Sequence, residues 1–252
     1  VFRNEVSVTD TIASAPSASP SPLSLPARIV GVLTSPRETY AAVAASPRWF
    51  GVLAIVILLG GAAASLFMST EVGQRAIVDA QITSMESMGR HPSEAQLDRI
   101  EQIAPYYAYF APVIQTVSLT TMALVVSAIA FAIFNAFLGG NASFKQLFAV
   151  VAHSSVVVLV QGLFSLPLDY ARETMSSPTN LGVFLPFLDE SSFTARMLGT
   201  IDLFYIWWTV NLAIGLGVLY KRRTGPIAAT MLAVYVAIAV VVAAVKTALS
   251  GA

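Results

Sequence analysis

Six polar side chains stand in or beside otherwise apolar stretches of this 252-residue chain: Asn135, Lys145, His153, Gln161, Asp202 and Asn211. Inside a membrane, a histidine and a carboxylate can relay a proton, and amides can line a path for a polar solute. Spacing limits how much of that chemistry is available. His153 falls about eight residues inside an apolar run, roughly 12 Å from its near end at 1.5 Å per residue. Gln146 lies on nearly the same face and Ser154 and Ser155 follow, so a polar seam toward neighbouring helices is expected. His153 then reads either as a proton or ligand site or as a neutral histidine bonded to another helix. Asp202 is expected about one turn inside the outer end of a later run, near water and the positive end of the helix dipole, where a carboxylate is tolerated for packing alone. Asn211, nine residues on, points to the opposite side of the helix and lines up with Trp208 and Gly215, a pattern for close packing with one interhelical hydrogen bond.

Other chemistries fail on residue type or spacing. The chain has no cysteine, which removes thiolate nucleophiles and cysteine-bound metals. Its second histidine, His91, lies in a loop far from His153, and no carboxylate pair sits at ligand spacing in an apolar run. The glycine-rich stretch from Gly139 to Ser143 lacks the arrangement of a nucleophile elbow and reads as a tight turn. Neither a Walker loop nor a dinucleotide fingerprint occurs. No enzyme, cofactor or metal is therefore expected, and a net charge of zero implies no nucleic-acid partner.

The elements that must position these residues follow from composition, with 56% of residues hydrophobic and 11% charged. An average soluble domain is about a quarter charged, so this is the composition of an integral membrane protein. A helix needs about 20 apolar residues to cross about 30 Å of hydrocarbon. Runs of that kind occupy 49–68, 110–138, 146–168, 198–220 and 226–245. The expected fold is all-α: a five-helix transmembrane domain over 48–247, an interfacial amphipathic helix over 27–47, and a disordered tail over 1–26 rich in Ser, Pro and Ala. Ser35, Pro36 and Glu38 stand where a capping box would start a helix, and Ser46 and Pro47 repeat the start signal. In the first long loop, Leu97, Ile100 and Ile103 predict a helix against the outer face, with Tyr106, Tyr107 and Tyr109 at the interface.

Lysine and arginine set the orientation. With the N-terminus cytoplasmic, the inner segments hold Arg3, Arg28, Arg37, Arg48, Lys145, Lys221, Arg222 and Arg223, eight against six outside. The short inner loops at Lys145 and at Lys221 to Arg223 carry no acid. Five spans then place the C-terminus outside, in what reads as the cytoplasmic membrane of a bacterium.

Three stretches carry a resemblance: "RIVGVLTSPRETYAAVAASPRWFGVLAIVILLG" from Arg28, "FNAFLGGNASFKQLFAVVAHSS" from Phe134, and "DLFYIWWTVNLAIGLG" from Asp202. In this order they resemble the bacterial branch of the Yip-domain membrane proteins. The resemblance implies five spans with a cytoplasmic N-terminus and supplies neither a substrate nor a catalytic residue. Eukaryotic relatives are linked to Rab GTPases and membrane shaping, but the acidic-tyrosine-glycine-proline motif of their cytosolic segment is absent here, which argues against a Rab partner. The expected role is non-enzymatic: association through helices with itself or with a membrane complex, in contact with the bilayer, toward membrane organisation or a trafficking-like role. A small transporter or channel component, using Asn135, His153, Gln161, Asp202 and Asn211, is the rival.

Overall fold

The computed structural model describes residues 23–189 and 191–250, Ser250 by its backbone alone. Most of the predicted tail lies outside these residues. Helix α1, Leu25–Thr34, begins inside the stretch assigned to that tail, with Ser24 accepting the Ala27 N–H and a proline in its first turn. Helix α2 is Pro36–Ala45. The stretch over 27–47, which reads as one or two interfacial helices, is two helices. Pro36 has no N–H to extend α1 and it restricts Ser35 before it, so the chain breaks there. The Ser35 side chain makes no cap bond, so the expected capping box does not form. Ser46 ends α2 instead of starting a helix, and α3 starts later, at Phe50. The apolar face of this hairpin is spent on protein: Val32, Tyr40 and Val43 are wholly buried.

Helix α3, Phe50–Met68, is followed by α4, Glu71–Glu86, and α5, Glu94–Ile103. Of this pair only α5 was legible from its periodicity. A short 3-10 turn joins α5 to α6, Tyr107–Phe131, whose end widens into a π-helical turn over Ala132–Phe137. Helix α7, Phe144–Ser154, and α8, Val156–Arg172, divide the predicted third run at Ser155. The cause is local. The Ser154 and Ser155 hydroxyls donate to the Val151 and Ala152 carbonyls at 2.7 and 2.6 Å, competing with the helical ladder. Helix α9, Phe193–Thr200, and α10, Leu203–Leu219, divide the fourth run at Ile201 and Asp202. Helix α11, Thr224–Ser250, ends the described chain.

Four of these stretches are long and apolar enough to cross a membrane: Phe50–Met68, Glu94–Phe137, Phe144–Arg172 and Thr224–Leu249. Helix α10 is apolar but has 17 residues, at the lower edge of the length that spans hydrocarbon. The chain is therefore an all-helical, multi-pass membrane protein. Burial orders the helices: 67% of the most apolar window of α7–α8 is buried in the protein, against 11% for α11, so α7–α8 is central and α11 peripheral.

Small residues set the α3–α6 contact. A Cβ on Gly61 would come within 3.1 Å of Pro112, and one on Gly60 within 3.0 Å of the Gln115 side chain. Pro112 cannot donate to the Ala108 carbonyl four residues earlier. The Ser65 hydroxyl of α3 takes that carbonyl at 2.8 Å, turning a helix defect into an interhelical bond.

Candidate functional site

The polar residues singled out above occupy separate places. Asp202 is the N-cap of α10, at the break itself, where one turn inside a continuous helix was expected. It is 4% exposed, so protein donors replace the expected water. Its Oδ1 accepts the Phe204 N–H at 2.7 Å; its Oδ2 accepts the Thr179 hydroxyl at 2.8 Å and the Ser177 hydroxyl. The Asp202 N–H donates to the Tyr235 hydroxyl at 2.9 Å, and that hydroxyl donates to the Thr200 carbonyl at 3.0 Å. An isolated antiparallel bridge between Asn180 and Asp202 completes a knot joining the α8–α9 loop, α10 and α11. Ser177, Thr179 and Tyr235 carried no signal in the sequence, because hydroxyl residues in loops and one tyrosine in an apolar run are too common to single out.

Asn211, at the middle of α10, is buried. Its Oδ1 accepts the Tyr40 hydroxyl and its Nδ2 donates to the Val32 carbonyl at 2.9 Å. The one interhelical hydrogen bond expected of Asn211 is thus two, and both clasp the α1–α2 hairpin. One turn on, a Cβ on Gly215 would sit 2.5 Å from Val150 Cγ1 and 3.1 Å from the Tyr40 ring, so glycine is what lets α2, α7 and α10 meet. Trp208 on the same face donates to Ser154 Oγ at 3.0 Å.

His153 is fully enclosed, with Nδ1 at 2.7 Å from the Ala149 carbonyl one turn back and Nε2 without a partner among the described residues. Its one bond stays within α7, where the reading as a neutral packing histidine expected a bond to another helix. Gln146 forms the α7 capping box with Ser143 and donates to the Ala44 carbonyl at 2.9 Å, so it tethers the hairpin and is not part of a seam around His153. Asn135 donates to the Ala142 carbonyl at 2.7 Å and closes the turn after the π-helix, beside the exposed Lys145. Gln161 faces a groove, of about 310 Å³, between α3, α6 and α8. Gln115, Ser165, Asp169 and Ser177 share its lining, and Asp169 Oδ1 has no partner among the described residues. Asp202, Asn211, Asn135 and Gln161 thus do not converge on His153. Among the described residues, no group of three His, Asp or Glu side chains stands together.

Across this bundle, residues 30–245 match the model of the Yip1 domain. The chain belongs to the Yip1 domain family. No curated protein and no solved structure matches it. The Yip1 domain here takes in the α1–α2 hairpin from Val30 onward together with every apolar helix to Val245. The hairpin is therefore part of the domain by sequence as well as by packing. Its key residue, Tyr40, was not legible as a site, since a tyrosine in a short helix shows neither its depth nor its partner.

Proposed function

We propose that this Yip1-domain protein is a non-enzymatic membrane scaffold that acts by helix-mediated association, first of all with itself. The observation that carries this reading is the uncovered face of α11. Val234, Ala237, Val241, Ala244 and Ala248 recur at alternating steps of three and four, and all are exposed. That is the heptad spacing of a helix pair, with small residues that let two backbones approach. Two of the polar residues support it from the other side, because Asp202 and Asn211 are engaged in bonds that hold elements together. The same reading places the protein in a bacterial cytoplasmic membrane, with five spans, a cytoplasmic N-terminus and no Rab-type GTPase as partner.

The chain lacks cysteine, so single-cysteine variants give a clean test. Oxidation in native membranes should yield a disulfide dimer from Ala237→Cys or Ala244→Cys, and none from Val236→Cys, about 120° around the helix from the centre of the stripe. Equal crosslinking at all three positions, or none at any, would reject self-association through this face. The second reading, a transporter component, draws on the groove of Gln115, Gln161 and Asp169. It requires a solute flux in liposomes that Gln161→Leu abolishes while the protein stays folded.

A further inference from the structure

Two pockets meet at the turn between α10 and α11, and both are lined by Lys221, Arg222 and Arg223. One is a slot of about 580 Å³ between the π-helical turn and α11, walled by Ile133, Phe134, Leu138, Ile227 and Met231. The other, of about 400 Å³, adds Arg37 from the start of α2. Among the described residues, no acidic side chain lines either one. Three cations thus stand at the mouth of the apolar slot, and a fourth, Arg37, lines the pocket that adjoins it.

The mouth is built, not merely populated by surface charge. Tyr220 stacks on Phe134 with ring centroids 4.6 Å apart, which fixes the end of α10 over the slot wall. Gly140 makes room for this ring, since a Cβ there would meet Tyr220 at 2.7 Å. The Arg222 guanidinium donates one N–H to the Leu138 carbonyl at 2.9 Å, which places it at the rim with other donors still to offer. The backbone of the turn adds an independent sign. The Lys221 N–H reaches the Val218 carbonyl and the Arg222 N–H reaches the Gly217 carbonyl, the two bonds of a Schellman cap. Its left-handed position, normally glycine, is Lys221, at φ 52°. Backbone strain kept at a non-glycine residue points to a use for its side chain. Attraction of cations to a helix C-terminus accounts for charge near the turn. It explains neither the slot nor the inclusion of Arg37.

We infer that this turn is a binding site for an anionic phospholipid, its phosphate held by Arg37, Lys221, Arg222 and Arg223 and one acyl chain laid in the slot. Charge complementarity selects the anionic headgroup, and the apolar walls select a lipid over a free phosphate. The inference does not depend on self-association through α11.

The test uses the full chain in detergent, with lipid retention read by native mass spectrometry for phosphatidylglycerol and phosphatidylcholine of identical acyl chains. Phosphatidylglycerol should be retained about tenfold more strongly than phosphatidylcholine, and R222Q/R223Q should abolish that preference. Lys221→Gly should weaken retention several-fold while leaving thermal stability equal or higher, because glycine relieves the left-handed backbone. That variant separates binding from folding. Thr230→Trp, which fills the slot, should lower retention of both lipids. Glycerol phosphate, a headgroup without chains, should fail to displace the lipid. Equal retention of the two lipids by the unmodified protein would overturn the proposal. So would full displacement by glycerol phosphate, or an unchanged retention in Thr230→Trp, which would leave only diffuse attraction to a basic rim.

Discussion

At the scale of single residues, Asp202 shows how burial changes the role of a charge. Its carboxylate accepts from a backbone amide and two hydroxyls and is nearly closed to solvent. Asparagine is itself a good N-cap, and the Ser177 and Thr179 hydroxyls can turn to accept from its amide. Asp202→Asn should therefore cost about 1 kcal/mol, while Asp202→Leu, which strands all three donors, should cost about 3 kcal/mol or more. Thermal unfolding in detergent checks the order. If the two variants were equally destabilised, the charge and not the bonds would hold this knot. Only half of this was legible in the sequence. A carboxylate heading an apolar run signals a helix start, but its partners lie 23 and 25 residues earlier in a loop whose approach no local pattern encodes.

At the scale of elements, two joints carry the bundle. The first is the α1–α2 hairpin, clasped through Tyr40 and Asn211. Burial raises the Tyr40 phenol above its ordinary value of 10.0, so the docked hairpin keeps it neutral where a released one would ionise. A raised folded-state pKa gives stability that is complete below pH 10.0 and declines as pH rises past it. Trypsin cleavage after the buried Arg28 should thus stay slow from about pH 6 to 9 and quicken above about 10. Tyr40→Phe should remove that alkaline limb and quicken cleavage throughout, since it leaves Asn211 Oδ1 unpaired. A cleavage rate with the same alkaline rise in Tyr40→Phe would assign the effect to another group. The second joint is Ser65 against the Ala108 carbonyl freed by Pro112. Ser65→Ala should cost about 1 kcal/mol in the natural background and close to nothing with Pro112→Ala, where the helix satisfies the carbonyl itself. Additive losses in that cycle would mean that the bond has no part in the joint. Pro112 removes one helical donor in any surroundings, but the neighbour that repairs the gap could be identified only once α3 and α6 were side by side.

At the scale of the whole molecule, hydropathy makes the class legible and leaves the number of crossings as the question that matters most. Long apolar windows located α3, α6, α7–α8 and α11, because a membrane imposes length and polarity on each helix separately. The breaks at Ser155 and Asp202 stayed hidden, since serine and one carboxylate barely lower the hydropathy of a long window. The hairpin's burial was hidden for the opposite reason: an amphipathic helix on a membrane and one docked on a bundle have the same pattern. The break at Asp202 leaves α10 with 17 residues, about 25 Å of helix, enough for one crossing with little tilt. If α10 crosses, the knot at Asp202 and the basic turn at Lys221 to Arg223 face opposite compartments. The turn, with three cations and no acid, then belongs in the cytoplasm. A reporter that matures only in the cytoplasm should be active when fused after Arg223 and silent when fused after Leu188 or after Ala252. Equal activity after Leu188 and Arg223 would mean that α10 enters and leaves by one side, reducing the crossings to four. Silence after Arg223 together with activity after Ala252 would invert the orientation, and the basic turn would then face the outer leaflet.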